Sequence, residues 1–202
     1  MARHPQWAIG YEDEVWWSRL AHPCLSAWSD DGQPLHLIEQ TVAKDDPDPK
    51  ALACYGLLVR WADPLSERRS EQMWLRFVAE RPVSAVTTQF LDWCCHLLAV
   101  AGKTALVLVW DNASWHVSAQ VRAWIRTHNL KVRQEGQGVR ILVCGLPVKS
   151  PWLNPIEPKW MHGKRAVVEP AGLLTAEELE RRVCDYYQCA QLDHLFIPQN
   201  VA

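Results

Sequence analysis

Asp13, Asp111 and Glu157 are the side chains whose types and settings point to chemistry. Asp13 follows the apolar run Trp7-Ala8-Ile9-Gly10-Tyr11 within the cluster Glu12-Asp13-Glu14, and Asp111 follows the continuously apolar Thr104–Trp110. Glu157 stands in Asn154-Pro155-Ile156-Glu157, a helix start with Asn as cap, Pro at the first helical position and Glu at the third. Carboxylates are hard oxygen ligands, so three of them converging from separate elements would hold two Mg²⁺ or Mn²⁺ ions. Such a pair serves an in-line displacement at phosphorus, activating the attacking oxygen and stabilising the leaving one. Each acid also has a plainer explanation: Asp after a strand is common in turns, and Glu at the third helical position closes a capping box. Their joint setting makes the case.

The elements that must position these acids are legible from periodicity. Trp7–Tyr11 predicts a first strand that delivers Glu12-Asp13-Glu14 at its end, Ala51–Val59 a second, buried strand, and Met73–Val78 a third, returning antiparallel. Residues 30–50, rich in Asp, Gly and Pro, predict an exposed loop. From Ser84 the spacing turns helical, with Val86, Phe90, Trp93, Leu97 and Ala101 on one face and Gly102 as the stop. Thr104–Trp110 predicts a central strand covered on both faces, Val117–Ile125 marks a helix, Val139–Cys144 a strand, and a last helix starts at Thr175 with Glu178 closing its box. The result is α/β: a mixed sheet of about five strands, three antiparallel and then two added in parallel, with helices on both faces. If the strands before Asp13 and Asp111 are neighbours, both carboxylates lie at one sheet edge, where catalytic groups of open α/β sheets sit.

Composition excludes several classes. A hydrophobic share of 49% with 22% charged residues over 202 residues fits one domain with its own core, 1–202. No stretch approaches the ~18 uninterrupted apolar residues of a membrane helix, which predicts a cytoplasmic protein without membrane contact. The seven cysteines form no Cys-x-x-Cys pair, which argues for buried reduced thiols rather than zinc. The net charge of −2 conceals a basic middle: residues 111–165 hold 9 basic and 3 acidic side chains. Lys149, Lys159, Lys164 and Arg165 are candidates for contacting DNA phosphates. Asn112 and His116, at the turn and first helical residues after Asp111, are candidates for supporting roles, His116 as a neutral imidazole facing a carboxylate, a metal-bound water or a phosphate. Trp152 and Trp160 flank Glu157; core packing is the first reading for both and base stacking the second.

The segments around Asp111 and Glu157 resemble the mariner-like bacterial insertion-sequence transposases of the DDE superfamily. The family pattern Asp-Asn-x-x-x-His is met by Asp111, Asn112 and His116, and Ser-Pro-x-Leu-Asn-Pro-Ile-Glu by Ser150, Pro151, Leu153, Asn154, Pro155, Ile156 and Glu157. Glu12-Asp13-Glu14 offers three candidates for the first acid; the family's Asp-Glu pair maps onto Asp13 as ligand and Glu14 beside it. The resemblance runs from about residue 7 to 168 and implies a ribonuclease-H-like fold. It also implies metal-dependent DNA cleavage, transfer of the freed 3′ hydroxyl, element ends and target DNA as substrates, and a second copy of the chain as partner. Relatives carry helix-turn-helix modules ahead of the catalytic domain. This chain opens almost at its first catalytic strand, which is expected of one reading frame of a split transposase, with a separate helix-turn-helix polypeptide as partner, or of a truncated relic. The alternatives are a nuclease of the same fold that does not join strands, and an inactive DNA-binding subunit of a split element. If the three acids repel one another, replacing Asp111 with Asn is expected to abolish cleavage while metal-free stability stays level or rises.

Overall fold

A computed structural model describes residues 4–20, 42–62, 69–148, 150–167 and 172–198. Five strands form one sheet: β1 (Trp7–Ser18), β2 (Ala51–Ala62), β3 (Arg69–Val78), β4 (Ala105–Trp110) and β5 (Arg140–Gly145). Their order is β3-β2-β1-β4-β5, with β1/β2 and β2/β3 antiparallel and β1/β4 and β4/β5 parallel. The expected mixed sheet is thus present, and β1 and β4 are neighbours. The helices are α1 (Ser84–Val100), α2 (Ala119–Glu135), α3 (Glu157–Val167) and α4 (Ala176–Tyr187), with a single 3₁₀ turn at Pro151–Leu153.

The sheet separates two cores, and the period of two along each strand assigns side chains to them. On β2, Ala53, Tyr55, Leu57 and Val59 face a core completed by α1 and α2, while Leu52, Cys54 and Leu58 face a core completed by α3 and α4. A near-continuous apolar run is what a strand covered on both faces requires. The predicted stripe on α1 buries Val86 and Phe90, joined by Leu91, Cys94 and Leu98. Each such burial contributes about 1.5–3 kcal/mol. That helix ends just before Gly102, whose φ of 69° suits a residue without Cβ. Ser118 caps α2 by accepting from the Val121 amide, and Thr175 caps α4 by accepting from Glu178 N–H. All six described cysteines are free, and Cys54, Cys94, Cys95 and Cys184 are buried.

Two of the boundaries that differ from the sequence reading bear on the acids. β1 does not stop at Tyr11 but runs on to Ser18, because β2 continues to pair with it as far as Ser18↔Ala51. Only its parallel pairing with β4 ends at Tyr11↔Val109. The acids 12–14 are therefore in mid-strand. α3 begins at Glu157 rather than Pro155, with residues 155 and 156 in the turn before it. Most of the expected 30–50 loop, residues 30–41, lies outside the described residues.

Candidate active site

Strand alternation sends the three consecutive acids of β1 to opposite sides of the sheet. Glu12 and Glu14 share the α1/α2 side with Ala8, while Asp13 shares the α3/α4 side with Val15 and Trp17. Because β4 has ended by this level, Asp111 stands beside them, the first residue after Trp110.

On the α1/α2 side the carboxylates gather around His116. Its Nδ1 lies 2.9 Å from Asp111 Oδ1, and its Nε2 lies 3.0 Å from Glu14 Oε1 and 3.1 Å from Glu12 Oε2. With both ring nitrogens facing carboxylates, the imidazolium form donates at both. Burial opposes the charge, but Glu12 and the hydrogen bonds to Asp111, Glu12 and Glu14 outweigh it and hold the His116 pKa well above its ordinary value. The neutral imidazole expected from the sequence is therefore replaced by a cation, and His116 lies in a turn two residues before the Ser118 cap rather than in the helix. The Trp110 ring stacks on the imidazole with centroids 4.6 Å apart, and Trp115 Nε1–H donates to Glu14 Oε1 at 2.7 Å.

One cation cannot satisfy three carboxylates. Glu12 is fully buried, neither of its oxygens receives a well-directed hydrogen bond among the described residues, and burial pushes its pKa up to about 7. The Nε2–H points at Glu14, so the approach to Glu12 is an ion contact. Among the described residues, Glu12, Glu14 and His116 are the only group of three whose ligand atoms all lie within 4.8 Å of one another. With both ring nitrogens protonated and directed at carboxylates, His116 offers no lone pair to a metal. Asp111 gains from it: first the His116 hydrogen bond, then the Ala113 amide at 2.8 Å, hold its pKa below the usual range.

On the other side, Asp13, Asp111 and Glu157 line one cavity of about 340 Å³, shared with Asn112, Ala113, Leu146, Pro147, Val148, Ser150 and Asn154. Asp13 accepts from Trp160 Nε1–H at 2.9 Å. Burial, then the charges of Glu157, Glu12 and Glu14, push its pKa up to about 8. Glu157 is half-buried, and burial and Asp111 raise its pKa against the opposing charge of Lys164. Among the described residues no cation pairs with Asp13 or Glu157 as His116 pairs with the other group, and Lys164 acts on Glu157 only through its charge. The asparagines fix the walls. Asn112 Nδ2 donates to Leu146 O at 2.7 Å, tying the loop after β5 to the end of β4. Asn154 Nδ2 donates to Glu12 O at 3.0 Å, tying the start of α3 to β1.

The candidate DNA contacts are less uniform. Lys164 and Arg165 are exposed on α3, Lys159 is paired with Glu71 at 2.7 Å, and Lys149 lies outside the described residues. Trp160 is buried as expected, edge-on to Trp17 and Tyr187, whereas Trp152 is 75% exposed and overturns the core reading. Sequence reasoning missed Glu12, Trp160 as the partner of Asp13, and Gly56. Gly56 lies opposite Asp13 on β2, and a Cβ there would enter the Trp160 ring. A glycine inside an otherwise apolar strand is the signal that marks such a close approach.

Comparison with known proteins bears on this arrangement. No curated protein sequence matches the chain. Among solved structures, the Mos1 transposase paired-end complex with left transposon end matches at a TM-score of 0.60 and 16% identity, over 93% of this chain and 49% of that one. The Mos1 mariner paired end complex with Mn gives 0.60 and 15% over 92% and 49%, and the catalytic domain of Mos1 mariner transposase 0.51 and 14% over 93% and 72%. The chain spans about half the length of the first of these, and at such identity the likeness carries the fold, a ribonuclease-H-like mixed sheet. Residues 67–180, a span that holds Asp111 and Glu157, match the family model described as DDE superfamily endonuclease, and the chain belongs to that family.

Proposed function

We propose that the chain is the catalytic domain, 1–202, of a mariner-like bacterial insertion-sequence transposase that cuts and joins DNA strands, with Asp13, Asp111 and Glu157 as ligands of two divalent cations, Mg²⁺ or Mn²⁺. The observation that carries this reading is one cavity lined by carboxylates from three separate elements in a chain of this family. The residues fit such ions: the donors are hard oxygens, and burial, then the charges of Glu157, Glu12 and Glu14, disfavour the Asp13 carboxylate in a way that a bound cation would offset. Bound ions of this kind activate the attacking oxygen and stabilise the leaving one in an in-line displacement. The chain's own residues orient. His116 and the Ala113 amide fix the Asp111 carboxylate, Trp160 fixes Asp13, and Asn154 anchors the segment from which Glu157 extends. Asn112 holds the Leu146 side of the cavity that would receive the scissile phosphate.

The reading extends to partners: element ends and target DNA, and a second copy of the chain, acting in the cytoplasm. No helix of the described residues is long and apolar enough to cross a membrane. The basic balance of residues 111–165 supports phosphate contact, with exposed Lys164 and Arg165 nearest in sequence to Glu157. The test is a Mn²⁺-dependent cleavage and joining assay on supercoiled DNA. Asp13→Asn, Asp111→Asn and Glu157→Gln should each lower cleavage by at least about a thousandfold, matching the several kcal/mol a metal clamp supplies. Cleavage without joining would make the chain a nuclease, and full activity in any of the three variants would remove that residue from the triad.

A further inference from the structure

Eleven of the chain's 12 tryptophans lie among the described residues. Nine of them stack against, or meet edge-on, another aromatic or imidazole ring. Trp16 and Trp152 meet no other ring among the described residues, and Trp152, 75% exposed against 48% for Trp16, is the more open of the two. A large ring left in water forgoes the burial that places most indoles inside. Its position narrows the use. Trp152 sits in the 3₁₀ turn of Pro151–Leu153, between Ser150 and Asn154, both of which line the cavity with Asp13, Asp111 and Glu157. Val148 on the cavity wall is as exposed as Trp152, and Leu153 and Met161 are exposed too. Met161 lies one helical turn beyond Glu157, with Lys164 three residues further along the same face. An apolar rim with a free indole, set beside carboxylates and a cation, suits a ligand that carries flat apolar rings on a charged backbone.

We propose that Trp152 is a stacking platform for an unpaired nucleobase of the DNA strand that enters the catalytic cavity. The inference rests on the proposed action on DNA and adds a contact that duplex phosphates cannot make, because a paired base keeps its faces inside the helix. Stacking on an indole tolerates any base, so the contact selects strand opening rather than sequence.

The test uses the whole chain without added metal and two fluorescent probes: an oligothymidylate of about 12 nucleotides and an abasic strand of equal length. Fluorescence anisotropy should show the base-bearing strand binding tighter by on the order of tenfold. Trp152→Ala should remove that preference and leave binding of the abasic strand, and its salt dependence, unchanged. Trp152→Phe should keep most of the preference, which also guards against a folding defect in the alanine variant. Equal binding of both strands by the unaltered chain, or equal losses for both in Trp152→Ala, would overturn the platform while leaving DNA binding intact. Failure of the unaltered chain to bind either strand would overturn the action on DNA and the platform together.

Discussion

On one face of β1, Glu12 and Glu14 meet an imidazolium held within 3.1 Å; on the other, one residue along, Asp13 meets an indole N–H and, across a cavity, two more carboxylates. The residue types are nearly the same and the strand is the same. The difference is whether the counter-charge is covalently part of the chain. Where His116 supplies it, the cluster is closed and Asp111 is stabilised as an anion. Where no described side chain supplies it, burial and the neighbouring carboxylates push Asp13 towards its protonated form. Buried like charges persist only where something else over-determines them, so the uncompensated face is the one where the proposed cations would bind. Asp111 belongs to both groups, held by the first and presented to the second.

The largest expected effect comes from opening the closed face. His116→Ala should destabilise the protein by about 3–5 kcal/mol, the cost of leaving buried charges without their partner. Its raised folded pKa means that the histidine's contribution is fully present below the unfolded value of 6.5 and is lost only as pH rises through the much higher folded value, so it operates at neutral pH. In the variant, the penalty should grow with pH as Glu12, whose pKa already stands at about 7, ionises without a cation. Urea denaturation at about pH 5.5 and 8.5 measures this. Adding Glu12→Gln should restore part of the loss, and a His116→Ala protein of unchanged stability would refute the internal counter-ion.

Next in size, the two aspartates should respond oppositely to the same change. Asp13 binds its proton more tightly folded, at about pH 8, than unfolded, near 3.8, so its ionisation costs stability as pH rises between those values. Asp13→Asn should therefore gain about 2 kcal/mol over the unaltered protein at the alkaline end of that window, without metal, and little at the acid end. Asp111→Asn loses the ion pair to His116 while its amide oxygen can still accept the Ala113 N–H, and should cost about 1 kcal/mol, since the carboxylate is half-exposed and solvent screens part of the pairing. This reverses the expectation from sequence, which grouped Asp111 with the repelling acids. Adding Mn²⁺ should raise the melting temperature of the unaltered protein more than that of either variant. Melting curves that shift the same way for both variants would mean that the two faces are not distinct.

Much of this arrangement is legible in the sequence because its signals are local. The apolar run before Asp111 fixes one strand end, the Asn-Pro pattern before Glu157 places a helix start to within two residues, and α1, β4 and α4 appear close to their predicted limits. β1 was harder to read, since Glu12-Asp13-Glu14 looks like a strand end to any argument from hydrophobicity. Only the cross-strand partner β2 and the buried histidine make charge tolerable there. For the same reason the choice between the three acids needed the alternation of a continuous strand. The exposed setting of Trp152 had no local signal, because a tryptophan beside prolines fits a packed loop and an open rim equally well.

The smallest effect tests the open face at its one built-in donor. Trp160→Phe keeps an aromatic ring against Trp17 and Tyr187 but removes the N–H that reaches Asp13 at 2.9 Å. A hydrogen bond that favours the ionised carboxylate opposes the upward shift, so without it Asp13 should become still harder to ionise. The loss should be about 1 kcal/mol at alkaline pH, where Asp13 is charged, and less at the acid end, where it is protonated. Half-maximal cleavage should also need several-fold more Mn²⁺, because the ligand is both less ionised and less firmly oriented. Gly56→Ala should produce a related defect by forcing the indole aside, with a packing cost that does not depend on pH. The decisive measurement is the double variant with Asp13→Asn. If the indole acts through Asp13, the two changes should be coupled by about 1 kcal/mol at alkaline pH and much less at acid pH. Strict additivity at both ends would reduce Trp160 to a core ring and leave the orientation of Asp13 to its own strand.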